Sequence, residues 1–146
     1  MKADSLSGHA LQSFEQIRQL HPLTEENAMA IVGDGLHFAV LEGFMDVTDL
    51  NVSTICYALN VTGGGYRAWR DRGVLPKPAS NIIMQLVEIY AFGYSHFGHR
   101  RNFNGWMLEP NLRLGMIPPM SLISDEFGLK ELSLTLKRMD ALILEV

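Results

Sequence analysis

Between Phe97 and Arg138, short apolar runs alternate with glycine and proline residues at intervals too short for one continuous helix. Glycine favours helix C-termini and proline is tolerated only in the first turn, so these residues divide the segment into short elements. The breaks are predicted at Gly98, Pro110-Asn111, Leu114-Gly115, Pro118-Pro119 and Gly128. We therefore expect short helices and tight loops, followed by a final amphipathic helix from Leu129 to Met139.

The rest of the chain has the apolar spacing of helices and no sustained period-two alternation that would indicate strands. Positions 6 to 20 predict an N-terminal helix that stops before Pro22, and Thr24 is the predicted N-cap of the next helix. A short helix is predicted from Leu36 to Phe44, with a polar linker from Asp46 to Asn51. A long helix is predicted from Ser80 to Phe97, so the predicted fold class is all-α.

The length and composition suit one domain or two small ones, because 146 residues with 47% hydrophobic content can bury a real core. We predict an N-terminal helical extension over residues 1–22 and a helix-turn-helix domain over residues 23–79. Residues 80–146 are predicted to form the long helix and a small helical C-terminal domain. No run reaches the roughly 18–20 apolar residues that cross a bilayer. The N-terminus also lacks a signal-peptide apolar region, so we expect a cytoplasmic location and no membrane partner.

Charge is unevenly distributed along the chain. The net charge of −4 disfavours a strongly basic nucleic-acid binder. Residues 47–113 nevertheless contain seven basic and four acidic residues, between two acidic flanks. This basic segment either contacts phosphate groups or forms an ordinary protein surface of mixed charge.

Two short helices are predicted within the basic segment. The first is Thr54–Leu59 with Ser53 as its N-cap, and the second is Gly63–Arg72 after the turn Asn60-Val61-Thr62. A helix, a three-residue turn and a second helix have the spacing of a DNA-binding helix-turn-helix. The alternative is that two short helices merely pack together.

The second helix of this pair supplies most of the candidate DNA contacts. Tyr66, Arg67 and Arg70 are expected to face outward, and Ala68 and Trp69 are expected to pack inward. Arginine binds phosphate or guanine edges, and tyrosine reaches phosphate. The glycines at positions 63–65 have no side chains to read bases and leave only backbone N–H groups for phosphate. The predicted DNA-contact residues are Thr62, Tyr66, Arg67, Arg70 and Arg72.

The sequence contains no visible set of catalytic, cofactor-binding or metal-binding residues. His96 and His99 lie three residues apart, without a carboxylate or cysteine nearby to complete a metal site. Cys56 has no sequence-visible catalytic partner and is expected to be a small core residue. We therefore predict no cofactor, no metal and no enzymatic activity.

The glycine, proline, tryptophan and asparagine residues after Phe97 follow a known order. The positions concerned are Phe97-Gly98, Trp106, Leu108, Pro110-Asn111, Leu114-Gly115, Pro119, Leu122-Ile123, Gly128, Leu136 and Arg138-Met139. This string resembles the toxin-binding domain of the Xre/MbcA/ParS antitoxin family. Upstream, Gly35-Leu36, Leu59–Thr62 and Arg72–Leu75 resemble the Xre-type domain of the same family. One departure is Met116, which stands where a second glycine is common.

The resemblance implies an all-α antitoxin, usually a homodimer, with an Xre-like helix-turn-helix domain and a C-terminal domain that caps the active site of a toxin. The partner in this family is typically a RES-type enzyme that degrades NAD or uses it for ADP-ribosylation, and the complex often represses its own promoter. We expect the last helix and the apolar chain end to reach the toxin. The predicted toxin-contact residues are Lys137, Arg138, Asp140, Leu142, Ile143, Leu144, Glu145 and Val146.

Two alternatives stay open. The apolar chain end either reaches a toxin, folds back on its own core, or is buried in a homodimer. The whole chain is either an antitoxin or a stand-alone helix-turn-helix transcriptional regulator that binds operator DNA.

Overall fold

The computed structural model describes residues 11–145, with side chains described for residues 11–139. This part contains α1 (Phe14–Arg18), α2 (Glu25–Val32), α3 (Phe38–Thr48), α4 (Val52–Leu59), α5 (Gly63–Arg72), α6 (Lys77–Phe97), α7 (Arg100–Trp106), the 3-10 helices η1 (Leu112–Leu114) and η2 (Pro119–Leu122), and α8 (Glu126–Glu145). Residues 11–145 contain isolated β-bridges but no strand, so the predicted all-α class is confirmed. No helix within this range is long and apolar enough to cross a membrane.

Helix α6 lies at the centre of the fold, and α1, α2, α7 and α8 pack against it. Its Tyr90 and Tyr94 meet Phe103 of α7 edge to face, with ring centroids 5.1 and 5.8 Å apart. Phe44 of α3 packs on Tyr90 in the same way at 5.6 Å. Edge-to-face pairs are favourable because the positive ring edge meets the negative ring face. One continuous cluster of buried side chains runs from Leu11 to Leu136.

Several helix boundaries lie where local sequence signals predict them. Thr24 caps α2, because its hydroxyl accepts a hydrogen bond from the backbone N–H of Asn27. Gly73 and Gly98 follow α5 and α6 in the left-handed conformation that glycine adopts without a steric penalty. Pro119 begins η2, as the string after Phe97 predicts.

The predicted polar linker from Asp46 to Asn51 is wrong, because α3 continues to Thr48. Thr48 is buried, and its hydroxyl donates a hydrogen bond to the carbonyl oxygen of Phe44. The Thr48 hydroxyl therefore has a hydrogen-bond partner within its own helix, which the polar character of the sequence does not indicate. Helix α4 also begins earlier than predicted, with Asn51 instead of Ser53 as its N-cap.

Helix α6 begins at Lys77 and not at the predicted Ser80, since a proline is tolerated in the first turn of a helix. Ser80 itself has a different role. Its buried hydroxyl accepts a hydrogen bond from the backbone N–H of Leu36 and donates one to the carbonyl oxygen of Pro76, both at 2.9 Å. This side chain connects the segment before α3 to the first turns of α6.

Gly128 was predicted to break the chain before the last helix. This prediction is wrong, because Gly128 lies inside the first turn of α8. A Cβ atom added at Gly128 would lie 2.9 Å from the carbonyl carbon of Leu122 and closer still to its oxygen. The Gly128 N–H also donates a hydrogen bond to the side chain of Asp125 at 2.6 Å. Glycine is therefore required by a close approach of backbone segments. The predicted limits Leu129 and Met139 are too short at both ends, since the helix extends from residue 126 to residue 145.

The segments assigned to separate domains are in contact. The Tyr57 hydroxyl of α4 donates a hydrogen bond to the carbonyl oxygen of Ser121 at 2.6 Å, and the Asn60 side chain donates one to that of Ser124 at 3.0 Å. The division at residues 22 and 79 stays a prediction. Of the predicted N-terminal helix, the part around residues 6 and 10 lies outside the described residues, while Phe14 of α1 packs on Tyr94 at 4.7 Å.

Candidate functional site

The candidate DNA-contact element consists of α4, the turn Asn60–Thr62 and α5. Asn60 adopts the left-handed conformation with φ 52°, which ends α4 and reverses the chain. Thr62 then caps α5, because its hydroxyl accepts a hydrogen bond from the N–H of Gly65 at 3.0 Å. The three-residue turn is therefore present as predicted. The N–H groups at the start of α5 are the anion-attracting end of this helix.

Tyr66 does not face outward, and this part of the sequence prediction is wrong. Its ring is buried and meets Phe38 of α3 edge to face at 5.2 Å, while its hydroxyl lies 3.6 Å from the sulfur of Met45. Burial raises the pKa of the Tyr66 phenol. Ala68, which was expected to face inward, is exposed. The reason is size, since burying an aromatic ring stabilises the fold far more than burying one methyl group.

The other candidate DNA contacts are on the surface. Thr62, Arg67, Arg70 and Arg72 are all exposed. The guanidinium of Arg67 lies above the glycines at the start of α5, 3.3 Å from where a Cβ of Gly63 would be. Arg70 Nε lies 3.6 Å from the carboxylate of Asp71, an exposed pair that water and salt weaken. Exposed positive charge therefore lies along α5, and contact with DNA stays a prediction.

The buried titratable groups belong to the core. Burial raises the pKa of Tyr90 and of Tyr94, and both side chains are fully buried. Across residues 11–139, no group of three or more histidine, cysteine, aspartate or glutamate side chains is placed to hold a metal ion. His96 donates a hydrogen bond from Nδ1 to the carbonyl oxygen of Phe92 at 2.8 Å. Cys56 is a free thiol, half-buried against the core.

Exposed apolar side chains are concentrated after α7. Leu112 is 81% exposed and Met116 is 59% exposed. Leu108 and Ile117 are also exposed, and Phe127 at the start of α8 is 75% exposed. Several large exposed apolar side chains within one short segment are candidates for contact with a partner. The sequence prediction missed these residues as contacts, although four apolar residues in a glycine- and proline-punctuated segment were a visible signal.

Asn111 organises the loop that presents Leu112 and Met116. Its carbonyl oxygen accepts hydrogen bonds from the N–H groups of Leu114 at 3.0 Å and Met116 at 2.8 Å, and its own N–H donates to Ile117. Its side-chain oxygen accepts a further bond from the N–H of Arg113 at 2.9 Å. These hydrogen bonds give residues 111–117 a defined structure. We name residues 108–117 the apolar loop.

The predicted toxin-contact residues lie on α8 or beyond the described side chains. Lys137 and Arg138 are exposed on α8. Met139 lies beside the apolar loop, in a groove that it shares with Trp106 and Leu112. The remaining predicted contacts lie outside the described side chains, namely Asp140, Leu142, Ile143, Leu144, Glu145 and Val146. The backbone of residues 140–145 continues α8.

No protein-family model matches the sequence. No curated protein and no solved structure is significantly similar to it. Membership of the antitoxin family therefore stays a prediction.

Proposed function

We propose that the protein is the antitoxin of a type II toxin-antitoxin pair, which binds and blocks a RES-type toxin that consumes NAD or uses it for ADP-ribosylation. The concentration of exposed apolar side chains after α7 carries this proposal. Five of the nine large hydrophobic residues exposed in the described part lie between Leu108 and Phe127. Such a surface favours a protein partner, because its burial on binding releases water from apolar area. The same segment carries the resemblance to a toxin-binding domain.

The backbone positions of the resembling residues support the same interpretation. Gly98 and Gly115 both have left-handed φ angles, 77° and 76°. Gly128 lies against the Leu122 carbonyl group, where a side chain does not fit. These residues thus have conformational reasons to be glycine, as expected of residues that define a shared domain shape. The spacing of these glycines therefore supports a defined domain shape over a chance arrangement.

The negative charges of the chain end are complementary to a toxin cleft that accepts an anionic cofactor. The chain end contains Asp140 and Glu145 among apolar residues. A cleft that binds NAD presents positive charge, to which these carboxylates are complementary. In this proposal the protein acts as a cytoplasmic homodimer, without a membrane partner or a cofactor of its own.

Co-expression with the product of the adjacent reading frame, which the proposal expects to be a RES-type protein, tests the proposal. The toxin alone should stop growth and deplete cellular NAD, and the wild-type chain should restore both. Deleting residues 142–146 should abolish protection, because these residues supply most of the apolar chain end. The control is the unfolding temperature of the deletion variant, which should equal that of the wild type, while its helix content should fall only by the deleted end of α8.

The possible outcomes are distinct. A folded deletion variant that protects as well as the wild type places the toxin contact elsewhere on the chain. A wild-type chain that neither binds nor neutralises the RES-type protein contradicts the antitoxin function itself.

A stand-alone transcriptional regulator is the second candidate function. The exposed Arg67, Arg70 and Arg72 on α5 favour it, and the guanidinium of Arg67 lies beside the glycines at the N-terminus of this helix. Arginine side chains that contact phosphate release counterions, so DNA affinity should fall steeply with salt concentration. The glycines at the start of α5 suit contact with the DNA backbone better than base readout.

Titration of the protein's own promoter DNA separates the two functions. Arg67→Ala and Arg70→Ala should each weaken binding and reduce the salt slope by about one unit per lost phosphate contact. Arg113→Ala removes an exposed arginine from the apolar loop and is the matched control, with unchanged DNA affinity. A wild-type chain that leaves the DNA free at low salt eliminates the regulator and the autorepression role together.

A further inference from the structure

Helix α8 packs on the fold with one face and exposes the opposite face to solvent. Its buried side chains include Leu129, Leu132 and Leu136, which belong to the core. Phe127 is 75% exposed and Leu134 is 38% exposed, so the opposite face carries apolar area as well as charge. We name the exposed residues of α8, among the described side chains, the outer face: Glu126, Phe127, Lys130, Leu134, Lys137 and Arg138.

The spacing of the outer face is the same in both directions along the helix. From residue 126 to residue 138 the successive steps are one, three, four, three and one residues, and the midpoint is residue 132. When two copies of α8 pack antiparallel, a twofold axis level with this midpoint maps the outer face onto itself. A symmetric dimer requires such a patch, because both copies use the same surface.

The side chains that this operation brings together are complementary. Glu126 lies opposite the partner subunit's Arg138, which is an attraction between opposite charges. Phe127 lies opposite the partner subunit's Lys137, and an ammonium group over an aromatic ring is favourable. Lys130 lies opposite the partner subunit's Leu134, so the aliphatic part of the lysine covers apolar surface. The three pairings place no like charges opposite each other.

Other acidic groups surround the start of the outer face. Asp125 precedes α8, and Glu88 of α6 lines a groove together with Glu126 and Lys130. Glu131 is half-buried at the edge of the face. Acidic side chains therefore outnumber Lys130 here, and this end of the face is negative.

The far end of the outer face is positive among the described side chains. Lys137 and Arg138 are both exposed there. Glu109 and Arg113 line the groove beside Met139, and their opposite charges offset each other. Residues 140–146 lie outside the described side chains. A second copy in antiparallel orientation thus brings a negative end onto a positive end at both sides of the axis.

We propose that the outer face of α8 is the interface of a symmetric dimer in which the last helices of two copies pack antiparallel. The inference names the interface of the homodimer that the proposed function includes, and it does not depend on the toxin. A crossing angle of about 20° keeps two helices in contact over several turns, as the roughly 18 Å between residues 126 and 138 requires. The pair of Glu126 and Arg138 then forms twice, once on each side of the axis.

Charge reversal tests this pairing, with the dimer dissociation constant of the full chain measured by sedimentation equilibrium. The wild type should be a dimer. Glu126→Arg and Arg138→Glu should each raise the dissociation constant by about tenfold, because two attractions are replaced by two repulsions. The double variant exchanges the two charges and should restore the wild-type constant to within about threefold.

The double variant also separates this role from an effect within one chain. Residues 126 and 138 of the same helix lie about 18 Å apart, which is too far for an ion pair. Effects of the two substitutions on the isolated chain would therefore add, and the double variant would be the most perturbed. Recovery of the dimer requires contact between copies.

Phe127→Ser is a further variant and should weaken the dimer by about tenfold, because it removes the largest apolar side chain of the outer face. Met29→Ser is the matched control, since Met29 is 67% exposed on α2 and lies outside this face. Arg113→Glu is the charge control, because Arg113 is exposed outside α8. Both controls should have the wild-type dissociation constant.

Several results would overturn the inference. A monomeric wild type removes the dimer, and wild-type constants in the single variants place the interface elsewhere. A double variant no tighter than the single variants excludes the antiparallel pairing. Loss of toxin neutralisation in variants that remain dimeric assigns the face to the toxin. The antitoxin function fails separately, when the wild type dimerises but neutralises no toxin.

Discussion

Local sequence and tertiary structure predict opposite effects on stability when Gly128 is replaced by alanine. In the helix interior, alanine is more favourable than glycine by about 1 kcal/mol. If Gly128 served only to interrupt a helix, Gly128→Ala would therefore be neutral or stabilising. In the structure, however, the new Cβ would lie 2.9 Å from the carbonyl carbon of Leu122 and closer still to the oxygen.

The size of the expected destabilisation depends on which atoms can move to relieve the overlap. The obstructing atoms belong to the backbone at the end of η2, so no side-chain rotation relieves the overlap. Forcing an extra carbon into a packed site costs about 1–3 kcal/mol, and a rigid backbone contact belongs at the upper end. After subtraction of the propensity gain, we expect Gly128→Ala to destabilise the protein by about 2 kcal/mol. For a chain of this size the unfolding temperature should then fall by about 6 °C.

Urea unfolding followed by circular dichroism measures this change as a shift of the midpoint. Gly105→Ala is the matched control, because Gly105 lies in α7 and a Cβ added there meets no atom within 4 Å. That variant should be as stable as the wild type or more stable by up to about 1 kcal/mol. A Gly128→Ala protein at least as stable as the wild type would refute the reasoning.

Three further predictions concern buried polar groups. Ser80→Ala should cost about 2 kcal/mol of unfolding free energy, because it leaves the buried N–H of Leu36 without its acceptor. Urea unfolding checks this change, and Ser95→Ala, at an exposed position, should change stability by less than about 0.5 kcal/mol. Tyr90→Phe should raise stability at neutral pH by up to about 1 kcal/mol, since the described structure gives the buried Tyr90 hydroxyl no hydrogen-bond partner; thermal unfolding measures this difference. Because burial raises the folded-state pKa of Tyr90 and Tyr94, the stability that these two tyrosines contribute should be fully present well below pH 10, the approximate pKa of unfolded tyrosine, and should fall above it by up to about 1.4 kcal/mol per pH unit for each tyrosine. Unfolding measured from pH 8 to 11 should show this fall, and Tyr90→Phe should make it shallower.

Local signals predicted much of the fold but little of the packing. Thr24, Gly73 and Gly98 were correctly placed at helix ends, because capping and left-handed geometry depend on a few adjacent residues. The linker at residues 46–51 was predicted wrongly, because Thr48 is satisfied by a hydrogen bond within its own helix. Polarity alone does not tell whether a side chain has a partner.

The candidate sites show the same division. The exposed arginines of α5 follow from their sequence type, whereas the inward position of Tyr66 depends on the pocket beside Phe38 of α3. The sequence places Leu112 and Met116 in a segment punctuated by glycine and proline, which signals a possible contact, but it does not show that their side chains are exposed. An apolar residue in a loop is buried or exposed according to which elements pack over it, and these elements are distant in the chain.

The sequence by itself determined the helical class, several helix ends and the spacing of the glycine, proline and asparagine residues, since these depend on backbone conformation within a few residues. Only the tertiary structure decided that Gly128 is required by the Leu122 carbonyl group, and that Tyr66 is buried while Met116 is exposed in a left-handed conformation. The reason is physical: close approach and burial are properties of pairs of segments, and the chain alone does not specify which segments meet.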